Sequence, residues 1–379
     1  MRSEVLTPRE RAIAALCLEE PDRVPMWEGW ITNDPVYEAV VGRTHSSDHK
    51  PEDMDEESRQ RRISEENIEL QLLCYRKLNL DMSPVLGAGV PKGWKPKIID
   101  EMTYIDETGS TLRYSPESHQ TFIIGYPVKT PDDAETYEYI DPNAEGRLDY
   151  IELFVRQARK HDMLTVVEVG GGLEYIIEQV ASLQTLALLM HRYPHLAKKL
   201  IDLVVEFSTE IGKAAIDAGV DVIEISNDSG FRDGPMISPK LFHEFIAPTL
   251  KKQVEAFKGK GATATIIHCD GKVYSILDDM VGSGADGWHS IEPQAGMDLG
   301  FVKGRYGDRI CLLGNVDVSH SLPFGTPESV TREVRECIRA ASPGGGYFLG
   351  SSNSIHRGIP PENAIAMFRA GLRYGVYSH

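Results

Sequence analysis

What most restricts the fold of this chain is a rhythm: short apolar, β-branched runs alternate with longer helical patterns. Eight such runs recur, at Arg23–Trp27, Met82–Leu86, Leu164–Val169, Val220–Ser226, Thr263–His268, Gly287–Ile291, Ile310–Leu313 and Gly346–Leu349. His195–Ala218 carries apolar residues at spacings of three and four. Ser238–Lys258 opens with Ser-Pro, an N-cap followed by proline at the first helical position. Thr326-Pro327-Glu328 repeats that logic before Ser329–Ala340, and Pro360-Pro361-Glu362 starts a last helix reaching Tyr374. Strand alternating with helix implies a parallel sheet. Eight strands of this kind close into a (β/α)8 barrel, and 379 residues suit a single such domain, 1–379. A doubly wound sheet is the runner-up. It lacks its Gly-x-Gly-x-x-Gly turn, and Gly170-Gly171-Gly172 has the wrong spacing. Lys95–Tyr126 breaks the rhythm. Its alternating runs around Glu107-Thr108-Gly109 predict a β-hairpin or small β-extension inserted between strands two and three, as a cap over the mouth or a surface ornament.

Charge narrows the partners. A net charge of -17 with no run of Lys or Arg argues against nucleic acid, which needs a concentrated basic surface. No apolar run is long enough to span a bilayer. The N-terminal stretch MRSEVLTPRERAIAALCLEE reads as a charged amphipathic helix rather than a signal peptide, so a cytoplasmic location is expected. Cys17, Cys74, Cys269, Cys311 and Cys337 are an odd number without paired spacing and are expected to be reduced thiols.

In a barrel of this kind, chemistry sits at the C-terminal ends of the strands. The polar residues there are Glu28, Glu168, Asn227, Asp228, His268, Asp270, His289, Glu292, Asn315, Asp317 and Ser351 to Asn353. His268 and Asp270 are two residues apart, so on an extended strand they share a face, with Cys269 opposite. Imidazole and carboxylate suit zinc; a histidine holding a neighbouring loop is the plainer alternative. Cys269 is a core residue unless the chain turns at His268, which would bring its thiol inward. Glu224 either enters the barrel or faces a helix. Asp228 reads as ligand, general base or turn former, and His289 as site or scaffold. Trp27, Trp30 and Trp288 lie near strand ends, suited to stacking on a substrate or to packing. His356 and Arg357 follow the last strand, where barrels often bind anions. No Ser nucleophile elbow, P-loop, Cys-x-x-Cys or His-Glu-x-x-His is present.

From Glu168 onward the chain resembles the uroporphyrinogen decarboxylase family. The matching stretches are AGVDVIEISNDSG (218–230), ISPKLFHEFIAPTLKKQVEAFKGKG (237–261), IIHCDG (266–271), GADGWHSIEPQAGMDLGFVKGRYGDRICLLGNVD (284–317) and GSSNSIHRGIPPENAIAM (350–367), with LLGNVD and the following PFGTPESV the most specific. The resemblance implies a (β/α)8 barrel, often dimeric. It also implies one of two chemistries: cofactor-free decarboxylation of uroporphyrinogen, or methyl transfer to or from corrinoid-bound cobalt, usually assisted by zinc. The decarboxylase carries an early arginine-containing segment that grips substrate carboxylates. Here PMWEGWITNDP (25–35) has no arginine and offers Glu28. The methyltransferases carry His-x-Cys-Gly and a later Cys. Here Asp270 and Asn353 stand at those positions, so either zinc sits on harder ligands, among Glu28, His268, Asp270 or an acid nearby, or Cys269 substitutes after a register change, or no metal is bound. The expected function is therefore a zinc-assisted methyltransferase. It would pass methyl between a small methylated substrate, such as an aryl methyl ether, and a corrinoid (cobalamin) protein. Asp228, Glu168, Asn227 and His289 are its candidate catalytic residues, and Trp27, Trp30, Asn315, Asn353 and His356 its candidate substrate contacts. The alternatives are a uroporphyrinogen decarboxylase type of carboxy-lyase and a non-catalytic binding barrel.

Overall fold

The computed structural model describes residues 5–46, 56–117 and 120–377. The first four residues of the expected N-terminal helix, and residues 118 and 119 of the expected hairpin, lie outside these ranges.

Seven parallel strands form one curled sheet: β1 (Met82–Val85), β2 (Leu164–Gly170), β3 (Val222–Ser226), β4 (Ala264–Cys269), β5 (Gly287–Ser290), β6 (Cys311–Val316) and β7 (Tyr347–Ser351). Their order in the sheet follows the chain, as right-handed βαβ crossovers produce. The first expected run, Arg23–Trp27, closes the ring through single hydrogen bonds instead of an extended ladder. Trp27 N donates to Leu349 O at 3.0 Å, Leu349 N to Pro25 O at 2.9 Å, and Asp81 N to Met26 O at 2.9 Å. Pro25 has no N–H to give a ladder, which keeps this segment short. The Asp81 carboxylate reinforces the closure, accepting from Met26 N at 2.8 Å and from Arg11 and Arg23.

Alternation along each strand sorts the side chains into two cores. Met82, Leu164, Val166, Val222, Ala264, Ile266, Cys311, Leu313 and Phe348 fill the barrel interior. The Pro8–Leu16 helix, held by a capping box at Thr7, plugs one end with Ala12, Ala15 and Leu16. Val167, Ile223, Ile225, Ile267, Cys269, Trp288 and Leu312 point outward, into the layer shared with the surrounding helices. The helix expected from Ser238 begins at that N-cap but widens into a π-helical turn at Phe242–Ile246 before Ala247–Lys260. Pro248 has no N–H for the carbonyl four residues back, which accounts for the wider turn. The helices Pro194–Ala218, Pro327–Ala341 (capped by Thr326) and Pro361–Tyr374 fall where the periodicity put them.

Between β1 and β2 the expected β-insertion is a four-stranded antiparallel sheet, the extension rather than a single hairpin, built from Lys97–Ile98, Thr103–Ile105, Thr111–Ser115 and Gln120–Gly125. Ser110 Oγ and Thr108 Oγ1 donate to Gln179 O, at 2.6 and 3.1 Å, which seats this sheet beside the short Glu174–Gln179 helix that follows β2.

Candidate active site at the barrel mouth

The interior faces of the strands change character along their length. Below lie Val166, Val222 and Ile266; above, on the same faces, lie Glu168, Glu224, Ser226 and His268. Register sets these against each other: Glu168 pairs with Glu224 across β2–β3, and His268 with Ser226 and His289 across β3–β4–β5. His268 is the hub. Its Nδ1 lies 2.8 Å from His289 Nδ1, and its Nε2 lies 3.5 Å from Asp228 Oδ1 and 3.8 Å from Asp270 Oδ1. His289 Nε2 reaches Ser351 O at 3.3 Å, and Glu224 Oε1 lies 3.9 Å from His289 Nδ1.

The loop after β4 answers why the HCDG stretch ends in glycine. Asp270 N donates to Asp228 Oδ1 at 2.8 Å, drawing the two loops together. Gly271 has φ +83° and packs on Gly230, where an added Cβ would meet the Gly230 carbonyl carbon at 2.3 Å. Asp270 in turn accepts from Ser290 Oγ and Asn353 Nδ2. The Trp30 indole stands edge-on to His268, with ring centroids 5.0 Å apart.

Burial and like charge set the proton states. Burial lowers the basicity of His268, but Asp270, Asp228, Glu224 and Glu174 more than offset it and hold its pKa at about 9. Burial and then the His268 charge push His289 well down. The short contact between the rings therefore reads as His268 Nδ1–H donating to a neutral His289, whose Nε2–H donates to Ser351 O. Burial raises Glu224 to about 7, despite the opposing pull of His268. It also raises Glu168 and Asp270, and it takes Glu28 to about 8.

Among the described residues, two groups of donors converge closely enough to hold one ion: Glu224, His268 and His289, and separately Asp228, His268 and Asp270, each set lying within 4.8 Å. Imidazole with carboxylate is a zinc donor set, and the first group includes a buried oxygen, Glu224 Oε1, with no hydrogen-bond partner. The residues present thus fit a metal.

Of the residues expected from sequence, the structure brings together His268, Asp270, Asp228, His289, Glu168, Trp30 and Asn353. Others lie elsewhere. Trp27 is fully buried in the barrel interior, a core residue instead of a substrate contact. Cys269 faces the helix layer because β4 stays extended through it, so its thiol is not among the ligands. Glu28 accepts from Ser351 Oγ and Ser351 N instead of joining either metal group. Asn315 donates to Ile291 O and accepts from Cys337 Sγ, within the wall. Asn227 accepts from Leu173 N and donates to Ser229 Oγ, fixing its loop. His356 is exposed and pins its own loop through Val318 O and Gly358 N. Glu174, which accepts from Ser226 Oγ and Asp228 N, was not expected. It follows a glycine turn and carries no strand-end signal. Glu224, which the sequence left either in the barrel or against a helix, enters the barrel on the strand face it shares with Val222 and Ser226.

Comparison with known proteins follows from this geometry. Residues 98–374 match the family model described as uroporphyrinogen decarboxylase (URO-D). A uroporphyrinogen decarboxylase of Alkalilimnicola ehrlichii is 27% identical over 286 residues, covering 72% of this chain and 73% of its own length. One of Parasynechococcus marenigrum is 30% identical over 181 residues, so that the chain spans about half of it, 48%. Among solved structures, a methyltransferase from Methanosarcina mazei superposes with a TM-score of 0.72 at 23% identity, over 97% of this chain and 99% of its own, a likeness of fold. Family model and barrel agree across most of the length, and the chain belongs to the uroporphyrinogen decarboxylase family.

Proposed function

We propose that this protein is a methyltransferase that moves a methyl group between a small methylated molecule and the cobalt of a corrinoid carried by a partner protein. The observation that carries this reading is the charge of the mouth. Glu168, Glu174, Glu224, Asp228, Asp270 and Glu292 gather around the two histidines. Two cavities, of about 950 and 740 Å³, meet this cluster at Glu168, and the one arginine among their described lining residues, Arg147, has its guanidinium already tied to Glu107. A polycarboxylate porphyrinogen entering this field would be repelled and would find no free arginine to replace its water. A small methylated molecule meets no such barrier. The fold shared with the Methanosarcina mazei methyltransferase supports the same direction.

A zinc ion, when bound, would supply a Lewis acid near the atom that parts from the methyl group. His268 would hold it, with Glu224 and His289 or with Asp228 and Asp270. The chain's own residues do the rest. Ser351 O orients His289 through Nε2, Ser290 and Asn353 orient Asp270, and Trp30 walls the space beside His268.

The test is turnover with a reduced corrinoid protein and a panel of aryl methyl ethers, methylated amines and thioethers. Methylated corrinoid is expected with at least one donor, and His268→Ala should lower the rate by roughly 10–100-fold or more. About one zinc per chain is expected by elemental analysis, lost in His268→Ala and kept in Cys269→Ser. No transfer from any donor, together with carbon dioxide release from uroporphyrinogen, would put the decarboxylase in its place.

A further inference from the structure

A cavity of about 740 Å³ opens beside the histidines, walled in part by Trp30, Tyr75, Tyr150 and Tyr175. Glu168 and Glu224 are the acids of its lining, and among the described residues no Lys or Arg lines it. Its histidine, His45, is engaged with Asp34 at 2.5 Å. Glu224 is only 2% exposed, and its Oε1 lacks any hydrogen-bond partner. Glu168 has neutral hydrogen-bond partners, Ser226 and Trp30. The nearby cation, His268, also acts on Glu168, but it is shared with Asp270, Asp228, Glu224 and Glu174. A metal ion held by Glu224 would engage that carboxylate, but Glu168 belongs to neither ligand group.

A ligand that fills this space displaces the water that solvates Glu168. A neutral ligand would leave the carboxylate uncompensated, and an anion would be repelled. A cation clothed in methyl groups satisfies both the carboxylate and the aromatic walls.

We propose that this cavity binds a quaternary methylammonium ion, with one N-methyl group turned toward the His268–His289 end. The proposal rests on the methyltransferase reading and narrows its donor. The chemistry balances without a proton. The C–N bond breaks with its electron pair staying on nitrogen, so the cation departs as a neutral amine. The cobalt(I) of the partner's reduced corrinoid supplies the pair for the new Co–C bond and becomes cobalt(III). An aryl methyl ether would instead leave a phenolate among carboxylates unless a proton were delivered to it.

Titration calorimetry on the full chain as purified tests this with four probes: choline, tetramethylammonium, the uncharged choline isostere with carbon in place of nitrogen, and anisole. Choline is expected to bind at least about tenfold tighter than its isostere. Glu168→Gln should erase that preference and leave isostere binding unchanged, which also reports that the variant is folded. Trp30→Leu should weaken both cations. The proposal is overturned if neither cation binds, if the isostere or anisole binds as tightly, or if the preference survives in Glu168→Gln. Calorimetry needs no corrinoid. Cation selectivity without methyl transfer from any donor would therefore end the methyltransferase reading and keep the site, while transfer from an aryl ether without cation selectivity would do the reverse.

Discussion

Glu28 stands at a strand end, where a carboxylate invites a metal. The fold gives it a different state. It is 1% exposed and accepts from Ser351 Oγ at 2.8 Å and Ser351 N at 3.2 Å. Burial outweighs these bonds and a third from the Trp30 backbone, and moves its pKa from an ordinary 4.5 to about 8. At neutral pH the folded protein therefore keeps a proton that the unfolded chain releases. The folded state binds more protons than the unfolded one, so stability falls as pH rises. The neutral Glu28 costs nothing below 4.5, and its penalty grows until the pH passes about 8. Glu28→Gln keeps the shape and removes the titration. It is expected to stabilise the protein by up to about 3 kcal/mol near pH 7 and by little near pH 4, as read by urea unfolding across that range. A gain independent of pH would rule out titration as its source. At this scale strand alternation set Cys269 opposite His268 but left Glu224 either inside the barrel or against a helix, a choice that the packing of β3 settled. The proton on Glu28 was not readable, because a pKa depends on neighbours far away in the chain.

At the scale of elements, the local signals were sufficient for seven of the eight strands and most helix starts. Thr326 and Ser238 cap helices because a side-chain oxygen can meet an unpaired N–H within a few residues. The inserted segment was less legible. Alternation marked it as β, but the number of strands depends on turns and pairings that alternation does not encode. What holds this sheet to the barrel is Arg147. Its side chain is almost wholly buried, pairs with Glu107, donates to Gly89 O at 3.0 Å and lies 5.2 Å over the Phe207 ring. Arg147→Ala strands a mostly buried Glu107 carboxylate, at a cost on the order of 3–5 kcal/mol. Because the sheet is an addition to the barrel, the loss should surface locally, as faster tryptic cleavage at Lys97 and Arg113. Cleavage unchanged from wild type would mean that the Ser110 and Thr108 bonds to Gln179 are enough to hold the sheet.

For the whole molecule, closure of the ring hangs on a few groups. Asp81 is fully buried and takes Arg11 at 2.6 Å, Arg23 at 3.0 Å and the Met26 backbone N–H, binding the plugging helix, the closing segment and the start of β1 into one network. Asp81→Ala leaves two guanidinium groups without their shared anion. A loss of about 3–5 kcal/mol is expected, measured as a lower midpoint of a single cooperative unfolding transition. A loss below about 1 kcal/mol would show that the backbone bonds alone close the barrel. Read by itself, the sequence determined what short-range physics controls: the strand–helix rhythm, the caps, which residues share a strand face, and hence the end of the barrel where acids and imidazoles collect. Only the tertiary structure decided which of them meet. The contact of His268 with His289, the unpartnered Glu224 oxygen and a cavity walled by aromatics with no Lys or Arg among its described residues all arise from register and burial between segments distant in sequence. Those long-range terms set proton state, ligand geometry and the charge of the ligand that the mouth can accept.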